Sequence, residues 1–77
     1  MSVAAEEWTG RFAEKLGTVA PTEQELACLL ELASTAAHAS ERTAAPVSCW
    51  LAARAGVGPD DALSAAKQLA EQLGTGG

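Results

Sequence analysis

Three interruptions rich in glycine and proline cut this chain into four segments, each of a length suited to a short helix. They fall at Gly17 to Pro21, at Arg42 to Ala45 just ahead of Pro46, and at Gly56 to Pro59. Proline cannot continue a preceding helix but fits the first turn of the next, and glycine readily takes the left-handed conformation that ends one. The punctuation therefore predicts helix, break, helix, break, helix, break, helix.

The residues between the breaks support helices. Eighteen of the 77 residues are Ala, the strongest helix former, and the chain has no Tyr and no Ile. The first helix is predicted from about Val3 to Leu16, capped by Ser2, with Glu6 and Glu7 near its positive end and Trp8, Phe12 and Leu16 forming one apolar stripe. Thr22 and Glu25 open the second as a capping box, and Leu26, Leu29, Leu30, Ala33 and Ala37 give its core face before it fades near Ser40 to Arg42. The third runs from about Ala45 to Ala55 and is apolar nearly all round, with only Ser48 and Arg54 polar beyond Pro46. Such a helix is either central or a docking surface. The fourth starts at Gly58-Pro59, carries Asp60 and Asp61 in its first turn, and shows a stripe of Ala62, Leu63, Ala66, Leu69, Ala70 and Leu73. The expected architecture is all-α: a compact bundle of four short helices in one domain, residues 1–73, followed by a flexible Gly-rich tail, 74–77. No internal repeat is visible.

A chain of this length buries only about 60% of its unfolded surface. Here nine Leu, four Val, two Trp and one Phe supply nearly all the bulk. Modest stability, or stability borrowed from a partner, follows. Ten acidic and five basic residues give a net charge of −5, which repels phosphate and argues against nucleic acid and anionic membranes as partners. The segment after Met1 reaches Glu6 and Glu7 without an apolar run, so neither a signal peptide nor a membrane span is expected, and the expected location is cytoplasmic.

Few residues here can carry chemistry. His38 and Arg42 are four apart, on one face if the second helix continues, with Glu41 beside them. This is the main polar cluster, and it serves either to bind or to tie down the helix end. Cys28, His38 and Cys49 could supply metal ligands by type, but their spacing matches no short zinc pattern, so no metal and no cofactor are expected. Nucleophilic catalysis would need Ser48 or Cys49 activated by His38, the lone imidazole, without a Gly-rich turn or an orienting third group. Neither Ser48 nor Ser64 lies in the Asp-Ser-Leu motif of an acyl carrier protein. Gly76-Gly77 ends the chain like a sulfur carrier, but no strand pattern accompanies it. A DNA-reading helix is excluded because the third and fourth helices carry only Arg54, Lys67, Gln68 and Gln72 as donors.

The string Ala37-His38, Glu41-Arg42, Ala44-Ala45-Pro46-Val47-Ser48, Leu51 and Ala55-Gly56, with Trp8 and Leu16-Gly17 upstream, resembles a small helical family of GC-rich bacteria. Thr43 stands where many members have Pro. Members occur alone or joined to the enzyme that attaches a guanine nucleotide to molybdopterin, so the resemblance implies a role beside molybdenum cofactor biosynthesis. It does not imply nucleotide transfer, since the chain has no Gly-rich phosphate loop and is too short for the catalytic domain.

The sequence thus favours a non-enzymatic accessory or protein-interaction domain. Its binding residues are expected among His38, Glu41, Arg42, Ser48, Trp50 and Arg54, its partner is a protein or a second copy, and the small-molecule ligand is left open. Trp50 is the expected anchor, since no 77-residue domain has helices enough to cover every side of Val47 to Ala55. The alternative is a small enzyme or ligand carrier that uses His38 with Cys49 or Ser48.

Overall fold

A computed structural model describes residues 3–74, and the proposed Ser2 cap and most of the proposed tail lie outside that range. The fold is all-α, with four helices in chain order: α1 (Ala5–Leu16), α2 (Glu23–Ala39), α3 (Ala44–Ala55) and α4 (Pro59–Gln72). Among the described residues there is no strand. The first and third breaks fall where glycine and proline place them, whereas the second, residues 40–43, comes about two residues ahead of the expected Arg42 to Ala45 and holds neither residue type, Pro46 lying inside α3.

Local chemistry fixes these boundaries. At the start of α2 the Thr22 hydroxyl accepts from the Glu25 amide at 3.1 Å, and the Glu25 carboxylate accepts from the Thr22 amide at 2.9 Å. Two amides that a helix start leaves without partners are thereby satisfied. α1 and α3 both end on a left-handed glycine, Gly17 and Gly56, each at φ 74°. In each case the next residue's amide reaches back five positions, Thr18 to the Ala13 carbonyl at 2.9 Å and Val57 to the Ala52 carbonyl at 3.1 Å. This paired geometry closes the helix and satisfies its last carbonyls. Pro46 is the third residue of α3, where its missing donor costs nothing because first-turn amides have no helical acceptor. α1 begins at Ala5, two residues later than the sequence suggests, after an Ala4 that offers no side-chain cap.

The helices assemble around α2, which packs against both α3 and α4. α3 is therefore not the central helix, and none of its residues is buried. An exposed ion pair, Lys67 to Glu31 at 2.8 Å, ties α4 to α2 and contributes at most about 1 kcal/mol. The core is Leu32, only 3% exposed, with Ala13, Ala62 and Ala70. Leu32 is the single large apolar side chain buried among the described residues, and its burial stabilises the fold by roughly 1.5–3 kcal/mol.

The apolar stripes meet different fates. α1 turns Ala13 inward, with Thr9 and Gly10 half-buried beside it, and leaves Trp8, Phe12 and Leu16 exposed. On α2 the predicted face is half-buried at Leu26, Leu29, Ala33 and Ala37, whereas Leu30 points outward and Leu32 takes the centre. Leu69 of α4 and Leu73 just past its end are likewise exposed. For α1 the cause is that it forms no interface like those α2 makes with α3 and α4, so no helix face covers its stripe among the described residues.

Candidate protein-docking surface

Twelve large apolar residues lie exposed among those described, against one buried. The accessible surface is 5994 Å². A compact monomer of 7.8 kDa should expose roughly 4,400 Å², so the excess is on the order of 1,600 Å². The radius of gyration, 13.2 Å, also exceeds the roughly 11.5 Å expected at this length. The exposed large apolar side chains make this surface the candidate for docking.

The most chemically distinctive part lies on α3. The helix turns Ala45, Ser48, Cys49 and Ala52 toward α2, all half-buried, and directs Val47, Trp50, Leu51 and Arg54 outward. Trp50 is 58% exposed, and the Arg54 guanidinium carbon stands 5.0 Å from its ring centroid. A cation over an indole face fixes both side chains at a cost of little rotamer freedom on binding, and Trp and Arg are the residue types that most often dominate interface energetics.

The junction cluster opens out. α2 ends at Ala39, so Arg42 and Glu41 lie in the connection to α3 and do not continue the His38 face as a four-residue spacing on one helix would require. Ser40 adopts a non-helical conformation that turns the chain, and the Glu41 and Arg42 carbonyls then accept from the Ala44 and Ala45 amides at 2.9 and 3.1 Å. His38 is exposed, with its Nδ1 3.3 Å from the Ser34 hydroxyl. His38 at the end of α2 and Glu41 and Arg42 in the connection are each exposed.

Ser48 and Cys49 are half-buried. Ser48 lines a shallow cleft between α3 and α4, and the Cys49 Sγ lies 4.0 Å from the Leu29 carbonyl oxygen. Burial pushes the Cys49 thiol above its ordinary pKa, which keeps it protonated. Among the described residues no hydrogen bond joins His38 to either group. No group of three or more His, Cys, Asp or Glu among them could hold a metal ion. No described helix is long and apolar enough to cross a membrane.

Sequence reasoning picked out Trp50 and Arg54, but missed a second exposed ridge. Trp8 and Phe12 on α1 stack with centroids 5.8 Å apart, and Leu16 extends their line. Their four-residue spacing was visible; which molecule would cover them was not. No curated protein and no solved structure matches the chain. A family model does match, over residues 2–76, and the chain belongs to that family, described as a domain of unknown function, DUF6457.

Proposed function

We propose that this chain is a non-enzymatic accessory domain that docks on a protein partner through the outward face of α3, with Trp50 and Arg54 at the centre and His38, Glu41 and Arg42 at the rim. The observation that carries this reading is the Arg54–Trp50 pair, preorganised on a helix face left exposed among the described residues. Partners with an acidic or carbonyl-rich groove suit the guanidinium, and a flat apolar pocket suits the indole. Ser48, half-buried at the edge of the cleft, has a supporting position rather than a contact one.

The resemblance at His38 to Gly56 supplies the partner class. We place the domain beside molybdenum cofactor biosynthesis in the cytoplasm, docked on the enzyme that attaches a guanine nucleotide to molybdopterin. The other reading, a small enzyme or carrier using His38 with Cys49 or Ser48, has less support, because His38 pairs with Ser34 and burial holds the Cys49 thiol protonated.

Titration of the purified guanylyltransferase with the purified chain tests the proposal. Binding that weakens at least about tenfold in Trp50→Ala and in Arg54→Glu is the expected result. Absence of a complex at about 100 µM would remove this partner. A photo-crosslinker at position 50 that captures no protein in the native cell would remove the interaction role of the α3 face.

A further inference from the structure

We propose that α1 is a hinged arm that leaves the rest of the fold and melts as one unit, while α2, α3 and α4 stay folded together. The packing divides the chain in this way. α2 rests against both α3 and α4 and buries Leu32, whereas α1 forms no comparable interface among the described residues. What α1 covers is its smallest side chains: Ala13 is buried and Thr9 and Gly10 half-buried, while Trp8, Phe12 and Leu16 stay exposed. Opening therefore uncovers little apolar area on α1. Its polar side chains give no anchor either, because Thr9 donates to the Ala5 carbonyl at 2.7 Å and Arg11 pairs with Glu7 at 3.1 Å, both within α1.

α1 is also weak as a helix. Ala4 provides no side-chain cap at its start, in contrast to the reciprocal Thr22–Glu25 cap of α2. The Thr9 hydroxyl bonds back to the carbonyl four residues earlier, a contact that slightly destabilises helices. Gly10 stands in mid-helix, where an added Cβ would meet no atom within 4 Å, so no close approach calls for glycine and its backbone freedom only weakens α1. A detached helix of 12 residues is marginal in water even with good formers, so α1 melts once it leaves. The hinge is the stretch from Gly17, left-handed at φ 74°, to Pro21, with Val19 at its middle 89% exposed. Sparse burial and weak local bonding are what mark a segment that opens below the free energy of global unfolding.

The arm does not involve the Trp50 face, so it and the proposed function can fail separately. Native-state hydrogen exchange of the full chain at low urea concentrations, read residue by residue by NMR, tests it. The α1 amides from Thr9 to Leu16 should share one opening and exchange at least about tenfold faster, relative to their unfolded rates, than the slowest amides of α2. Thr22→Ala weakens α2 equally in the closed and the opened form. It should therefore speed the slowest α2 amides about fivefold and leave α1 unchanged. Gly10→Ala acts only while α1 is helical, and should slow α1 exchange about two- to fivefold. One common protection and urea dependence across α1 and α2, or α1 exchange that speeds with Thr22→Ala, would mean a single cooperative unit and overturn the inference. A steady gradient of protection along α1, or α1 exchange unmoved by Gly10→Ala, would mean fraying of its end and overturn it equally.

Discussion

The Arg54 guanidinium lies 5.0 Å from the ring centroid of Trp50, one helical turn earlier on the same outward face of α3. A tryptophan more than half exposed contributes little to folding but much to any interface that covers it. Trp50→Ala is expected to change unfolding free energy by less than about 1 kcal/mol, while complex formation at this face weakens by about 2 kcal/mol or more. Urea denaturation and titration calorimetry on the same variant measure the two effects. Unfolding comparable to a core truncation would mean that Trp50 is a core residue.

Leu32 and Leu30, two residues apart on α2, occupy opposite environments. Leu32→Ala opens a cavity in a core otherwise made of alanines and should cost about 2–5 kcal/mol, enough to unfold a domain this small. Leu30→Ala removes an exposed side chain and should cost under about 1 kcal/mol. Denaturation midpoints of the pair give the comparison directly.

Thr22→Ala removes one half of the reciprocal cap at the head of α2, the helix on which α3 and α4 both rest. The expected loss is about 1 kcal/mol, seen as a lower urea midpoint with an unchanged slope. Thr22→Ser should retain most of the stability, since its hydroxyl can accept from the same amide.

Burial raises the Cys49 pKa, so the folded chain holds that proton more firmly than the unfolded chain does. The resulting stability is fully present below the unfolded thiol value of about 8.5 and declines as pH rises through the folded value. Compared with Cys49→Ala, the wild type should therefore lose stability as pH rises above the unfolded thiol value. A difference between the two proteins that stays constant across that rise would count against a buried, protonated thiol. Thiol labelling of Cys49 should likewise stay slow at neutral pH and accelerate in urea.

The sequence by itself determined the four helices and the breaks after α1 and α3, because caps and glycine stops act within a turn of the residues that form them. Thr22 with Glu25, Gly17 and Gly56 need no distant partner to do their work. Trp50 and Arg54 were also legible as surface candidates, since an all-round apolar α3 exceeds what a short chain can enclose. Tertiary structure alone decided which face of each helix is covered. The Trp8–Phe12–Leu16 spacing announces an apolar stripe but carries no information about its cover, and only the packing of α3 and α4 on α2 leaves that stripe outside. It also separated His38 from Arg42: the chain leaves the helix at Ser40, so a spacing of four no longer means a shared face. Periodicity is a property of one segment, whereas burial depends on every other segment that can reach it.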